Sequence, residues 1–115
     1  MSYNEPLLLF NNVSLLAATS MASNITSPAY DVSETTTYNI QAVWSGSTPI
    51  GTTQLQASQD GVTYTLIDGS ILAVTGNTGS NMYNVQLPAY KWVQLVYTSA
   101  SGTGTMTATI SGKLI

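Results

Sequence analysis

The sequence contains no cysteine, no histidine and no arginine. Without cysteine, a disulfide framework, a thiolate nucleophile and a zinc–cysteine site are all excluded. Without histidine, the chain lacks the usual general base and the commonest transition-metal ligand. We therefore expect no metal centre, no cofactor and no catalytic residues.

Charge is equally scarce. Charged residues make up 6% of the chain, against about 25% in typical soluble proteins. The net charge is −3, and Lys91 and Lys113 are the only basic residues. Two distant lysines cannot neutralise a run of phosphates, so no nucleic-acid partner is expected. A nearly neutral surface favours packing against neighbouring subunits; a soluble monomer with a hydroxyl-rich surface is the alternative.

Long apolar runs are missing as well. No stretch approaches the roughly 20 apolar residues that cross a bilayer, so no membrane partner is expected. The apolar residues 7–10 and 13–18 are interrupted by Asn11 and Asn12, and Glu5 stands before them instead of a basic residue. This pattern is not typical of a secretory signal. We predict neither export nor membrane insertion.

What the chain does contain is a series of short segments with alternating polarity. Tyr38, Ile40, Ala42 and Trp44 alternate with other side chains as in a half-buried strand. Similar segments recur at roughly ten-residue spacing, with turn formers between them. We predict an all-β fold in one domain, a single antiparallel β-sandwich or jelly roll.

The N-terminal third is less regular than the rest. Residues 7–10 and 13–17 predict two short strands broken at Asn11-Asn12, and a helix is the alternative for residues 15–21. We divide the domain into an N-terminal segment, residues 1–36, and the sandwich core, residues 37–115. The segment of short strands is expected to pack on the sandwich or on a neighbouring subunit.

The dipeptide Asp60-Gly61 is the strongest local turn signal. It suits both central positions of a type I′ hairpin turn, which require positive φ. Folding the chain there would place Ala57 opposite Tyr64, with polar pairs on the other face. We predict a tight hairpin at this point.

A second hairpin is expected at the C-terminus, with its turn at Ser101-Gly102. That turn would place Tyr97 opposite Met106, and a slip of one residue would bring threonine and serine into the core. The resulting apolar face is predicted to be core and consists of Val93, Leu95, Tyr97, Met106, Ala108 and Ile110.

Four carboxylates are worth testing as functional groups. A glycosidase needs two carboxylates across a cleft, and Asp60 and Asp68 are the candidates. Each also precedes a glycine, so turn formation explains both without catalysis. Asp31 and Glu34 could contribute to a calcium site, but no dense acidic loop surrounds them. We expect no enzymatic activity.

Alternation places Trp92 on the outer face of the last hairpin, beside Gln94 and Val96. An exposed tryptophan could stack on a sugar, anchor a protein interface or be covered by the N-terminal segment. We predict an interface that combines this face with the N-terminal apolar run; its residues are Trp92, Gln94, Val96, Leu7, Leu8, Leu9 and Phe10.

Several segments taken together resemble a known group of proteins. They are VWSGSTPIGT at 43–52, QASQDGVTY at 56–64, WVQLVYT at 92–98, GTGT at 102–105 and TATISGK at 107–113. The series resembles small β-sandwich virion structural proteins of bacteriophages, of the capsid decoration or minor capsid type. The likeness covers residues 37–113, and its motifs are mostly strand and turn signals.

The resemblance implies a structural component of the virion without catalytic residues. Such a subunit would stabilise the particle by contacts with the major capsid protein, other virion proteins or copies of itself. It would be located in the virion, after assembly in the host cytoplasm. The alternative is a neck, tail or fibre component that binds carbohydrate during host attachment, through Trp92 or a neighbouring tyrosine.

Overall fold

A computed structural model of the protein describes residues 7–114, including every side chain in that range except that of Leu7. These residues form eight β-strands and no helix. The all-β prediction is therefore confirmed. The strands are β1 Leu7–Ser20, β2 Ile25–Thr26, β3 Tyr30–Asp31, β4 Thr37–Ser58, β5 Thr65–Leu66, β6 Leu72–Val74, β7 Thr78–Gln86 and β8 Trp92–Leu114.

Two long strands, β4 and β8, pair antiparallel over almost their whole length, from Thr37 opposite Lys113 to Ser58 opposite Trp92. At about 3.3 Å per residue, a straight strand of this length would span roughly 70 Å. Yet the hydroxyl oxygens of Tyr38 and Tyr90, near opposite ends of the pair, are 2.5 Å apart. The long ribbon is therefore folded back on itself.

The fold-back turns one continuous sheet into the two layers of a sandwich. In the first layer the C-terminal half of β8 pairs with the N-terminal half of β4. Strand β1 lies beside β8 in this layer, and β7 lies beside β4. In the second layer β2 and β3 pair with the other half of β8, and β5 and β6 pair with the other half of β4. Both long strands thus pass from one layer to the other, as strands do at the corners of folded sheets.

The bend lies where β4 and β8 both carry irregularities. The register shifts between Ser47 and Ile50, where Thr48 has a φ of 44°. Pro49, which cannot donate to a ladder, occupies this bulge, a usual position for proline within a sheet. Across from it Gly102 has a φ of 80°, and a Cβ on it would overlap the carbonyl of Thr48. Glycine is required here by conformation and by space.

The core lies between the two layers and is formed by the predicted alternation. The apolar face predicted for residues 93–110 is confirmed, because its members have 0% exposure: Val93, Leu95, Tyr97, Met106, Ala108 and Ile110. Residues 7–36 contribute to the same core through Leu15, Leu16, Met21, Ile25 and Val32. Burial of these side chains at about 25 cal/mol per Å² is the main stabilising term.

The predicted C-terminal hairpin is wrong. The chain does not reverse at Ser101-Gly102; Tyr97 lies opposite Thr53, and Met106 lies opposite Trp44. The buried positions change from odd to even numbers between Tyr97 and Met106, which suggested a turn. In the structure the bulged bend produces that change instead, because an extra residue shifts the alternation by one.

Two smaller expectations also need correction. The hairpin around Asp60-Gly61 exists, but Ala57 pairs with Thr65 instead of Tyr64, so residues 58–64 form a wide loop and not a two-residue turn. The break expected at Asn11-Asn12 is a bulge within one continuous β1, where Asn12 has a φ of 57°. Asparagine tolerates this conformation better than most residues.

We predict that Gly102→Ala destabilises the protein more than Gly69→Ala does. Both glycines have positive φ, 80° and 78°, but nothing lies within 4 Å of a Cβ on Gly69. Gly69→Ala should lower the free energy of unfolding by the conformational strain alone, about 1–2 kcal/mol. Gly102→Ala adds the overlap with Thr48 at the bend. Urea denaturation of the two variants measures the difference, and equal losses would contradict a close-packed bend.

Candidate interaction surfaces

The predicted outer face of β8 is formed by Trp92, Gln94 and Val96, which alternate with the buried core residues. All three side chains are half-buried. The Nε2 of Gln94 donates to Oε1 of Gln56 on the adjacent strand at 2.9 Å. The strands β2 and β3 lie beside β8 in the sheet and not over this face. The outer face of the second layer therefore carries Trp92 at one end of β8 and the hydrogen-bonded pair of Gln94 and Gln56 beside it.

The indole of Trp92 is held in place from two sides. It lies against the 58–64 loop, so closely that a Cβ on Gly61 would come 3.1 Å from its Nε1. The Nζ of Lys91 lies 5.3 Å from the ring centroid, within the range of a cation–π interaction. The ring is thus a fixed, partly exposed aromatic surface.

The N-terminal apolar run belongs to β1. Leu8 is exposed, whereas Leu9 and Phe10 are half-buried. The ring of Phe10 packs on that of Tyr30 with centroids 4.8 Å apart. Leu7 pairs with Leu114 through its backbone, and its side chain lies outside what the structure describes.

The structure brings part of the two predicted patches together at one end of the sandwich. Here a pocket of about 580 Å³ is shared by the start of β1, the β3 region and the first residue of β8. Three aromatic side chains and two carboxylates are among its walls. The lining residues are Leu9, Phe10, Ala29, Tyr30, Asp31, Ser33, Glu34, Thr35 and Trp92. Gln94, Val96 and Leu8 are not among them.

The carboxylate of Asp31 organises the loop beside this pocket. Its Oδ1 accepts from the hydroxyl of Ser33 at 2.6 Å and from the Ser33 N–H at 2.9 Å. These two hydrogen bonds, with a smaller contribution from the charge of Lys91, hold the pKa of Asp31 below its usual value. Among residues 7–114, no group of three acidic side chains that could hold a metal ion is present.

The other carboxylate candidate, Asp60, is used by its own loop. Its Oδ1 accepts the N–H groups of Val62 and Thr63, each at 2.9 Å, and the hydroxyl of Ser58 at 2.8 Å. The backbone bonds, led by Thr63, lower the pKa of Asp60 to about 2. Asp60 lines a second open pocket of about 620 Å³ together with Tyr90, but Asp68 is not among the lining residues.

Sequence reasoning missed the polar contacts that join the layers. The buried hydroxyls of Thr53 and Tyr83 are 2.6 Å apart, and Nδ2 of Asn81 donates to the Thr53 Oγ1 at 2.9 Å. Burial raises the pKa of Tyr83 and of Tyr38. These residues are far apart along the chain, so periodicity carries no sign that they meet.

Within the described part of the chain, no helix is long and apolar enough to cross a membrane.

Comparison with known proteins yields similarity of fold. No family model matches the chain, and no curated protein matches it in sequence. The crystal structure of the SPBc2 prophage-derived protein YomS is similar, with a TM-score of 0.63 and 13% identity over 97% of this chain and 99% of YomS. A protein of Bacillus endospore appendages gives a TM-score of 0.49 and 18% identity over 100% of this chain and 96% of that one. Dimeric latent PorU from Porphyromonas gingivalis gives 0.42 and 10% identity over 95% of this chain and 13% of PorU.

We predict that Asp60, in the 58–64 loop, makes the free energy of unfolding depend on pH between about pH 4 and pH 2. The folded-state pKa of Asp60 is about 2, whereas an unfolded aspartate titrates near 3.9. The stabilisation is therefore present above pH of about 4 and is lost as the pH falls toward 2. The carboxyl chemical shift in an NMR titration measures this pKa directly.

The matched variant is Asp60→Asn, which keeps the size of the side chain and removes its titration. Its unfolding free energy should fall less steeply between pH 4 and pH 2 than that of the wild-type protein. If the two slopes are the same, Asp60 does not hold the loop as the hydrogen bonds indicate.

Proposed function

We propose that this chain is a bacteriophage virion structural protein, a capsid decoration or minor capsid subunit. The observation that carries the proposal is the fold shared with a prophage-derived protein over nearly the whole length of both chains. The sequence segments that resemble phage virion proteins support the same proposal. The subunit stabilises the particle by protein–protein contacts, with the major capsid protein, other virion proteins or further copies of this chain as partners.

The surface chemistry suits a protein that buries its outer faces against neighbours. The first layer presents mostly neutral side chains outward, with exposed Gln41, Val43 and Thr107 on adjacent strands. Burying a charge costs several kcal/mol unless it is paired, and hydroxyl and amide groups avoid this cost because they can hydrogen-bond across an interface. A neutral face also lacks charge repulsion between identical subunits.

The proposal is tested on particles of the phage or prophage that encodes the chain. Density-purified virions should contain it in a fixed ratio to the major capsid protein, as measured by quantitative mass spectrometry. Separated heads should retain the chain, and heads from a deletion mutant should break at a lower temperature. Particles without the chain would overturn the virion assignment, whereas its presence on tails alone would overturn the capsid assignment.

A second candidate function is saccharide binding by a neck, tail or fibre component. The pocket beside Trp92 favours it, because Phe10, Tyr30 and Trp92 line one space with Asp31 and Glu34. Sugar rings pack their apolar faces on aromatic side chains, and carboxylates accept hydrogen bonds from sugar hydroxyls. The volume of this pocket, about 580 Å³, lies within the usual range for small-molecule sites.

The saccharide function predicts binding on a glycan array that is lost in Trp92→Ala and weakened in Glu34→Gln. Val62→Ala is the control, because Val62 is exposed and is not among the lining residues of the pocket. Circular dichroism verifies that each variant is folded. If wild-type protein binds no glycan, or if Trp92→Ala binds as well as wild type, this candidate function fails.

A further inference from the structure

The edge strands of this sandwich differ in how open they are to another strand. An unpaired strand edge is a template for pairing unless it is short, bulged or charged. The strands β2, β3 and β5 have two residues each and β6 has three. The pairing of β1 with β8 is interrupted by four register shifts. Each of these strands is thus protected by shortness or by irregularity.

Strand β7 has none of these protections. It spans nine residues, Thr78–Gln86, and pairs with β4 without a register shift. It contains no proline and no charged residue, and the nearest charges along the chain are Asp68 and Lys91. The strand has one glycine, Gly79. The ring of Trp44 packs so closely against it that there is no room for a Cβ. Among the described strands, β7 is the regular and uncharged edge.

The strand is also held rigidly from its inner side. Tyr83 is buried, and its hydroxyl lies 2.6 Å from that of Thr53. The side chain of Asn81 donates to Thr53 and to the carbonyl of Ala73 in β6. An edge fixed in this way loses little conformational entropy when another strand pairs with it.

We propose that β7 is a dimerisation edge, on which the β7 strand of a second copy of this chain pairs antiparallel about Met82. In this register all nine residues of each strand pair with the other strand. The outward-facing side chains of the two copies then lie on the same side of the joined sheet. On the outer face Met82 meets its copy, Ser80 meets Asn84, and Thr78 meets Gln86. The inner-face partners are Asn81 with Tyr83 and Gly79 with Val85.

The chemistry of the strand favours a second copy over an unrelated strand. In a two-fold pair the same residues occur on both sides, so a charge near the centre would face a like charge. The neutral β7 avoids that repulsion, and its outer residues supply hydroxyl–amide pairs on either side of a central apolar contact. Met82 is 48% exposed and Val43, on the adjacent strand, is 46% exposed. Pairing about Met82 would bring the two Met82 side chains together, with Val43 of each copy one strand further from the two-fold axis.

This inference deepens the proposed assembly function by naming a partner, a copy of the chain itself. Because a two-fold pair uses the β7 edge on both sides, it closes as a dimer and does not continue into a fibre. The opposite edge, β1, remains outside the contact. The outer faces of both copies lie on the same side and stay available to other virion proteins.

The test is sedimentation equilibrium of the full chain over a range of concentrations. Wild-type protein should form dimers. In Ser80→Lys/Asn84→Lys, two lysine pairs face each other across the two-fold axis, and the dissociation constant should rise at least about tenfold. Thr107→Lys and Ser14→Lys place lysine on exposed positions of β8 and β1, and neither should change the dissociation constant.

A charge-swap experiment tests the register. Ser80→Glu/Asn84→Glu alone should also dimerise at least about tenfold more weakly than wild type, but an equimolar mixture with the lysine variant should form heterodimers, because each lysine then faces a glutamate. Circular dichroism verifies that each variant is folded. A monomeric wild-type chain, dimers unaffected by the lysine pair, or disruption by Ser14→Lys alone would each overturn the inference.

The two proposals fail separately. A chain that is monomeric in solution but present in purified virions overturns the β7 dimer and supports the structural function. A β7-dependent dimer that is absent from virions supports the β7 dimer and overturns the structural function.

Discussion

The antiparallel pairing of β4 with β8, folded over on itself, is the constraint on which the structure depends. Each of the other six strands that the structure describes pairs with one of these two. Because both strands run through both layers, the position of any attached strand depends on the register of this one ladder. A register error would displace the core of both layers at once.

The bend in that ladder needs both glycine and a means of holding the layers together. Gly46 and Gly104 lie so close across the ladder that a Cβ on Gly46 would overlap the backbone of Gly104. At the far ends the hydroxyls of Tyr38 and Tyr90 meet, and the rings of Phe10 and Tyr30 pack together. A hydrogen bond contributes only about 1 kcal/mol net, but leaving a buried hydroxyl unpaired costs about 1–3 kcal/mol. The paired hydroxyls thus favour this closure over other ways of stacking the layers.

The same architecture separates the surfaces that could carry function. The end where the layers close brings Phe10, Tyr30 and Trp92 around one pocket, since β1, β3 and β8 meet there. Strand β7, in contrast, lies at an edge of the first layer, and among the strands of residues 7–114 it pairs with β4 alone. In the proposed virion subunit, the β7 edge would bind a second copy and the outer faces would remain for other proteins.

The sequence by itself determined the all-β class and the residues of the core face, because strand side chains alternate with period two regardless of which strand is the partner. It also identified Trp92 as an outward-facing aromatic residue next to the buried Val93. The strand partners were decided only by the tertiary structure. A change in alternation near Gly102 is compatible with a tight turn and with a bulged bend, and local pattern does not distinguish them. The pocket around Phe10, Tyr30 and Trp92 and the contact of Thr53 with Tyr83 depend on that bend, since they join residues whose separation along the chain carries no periodic signal.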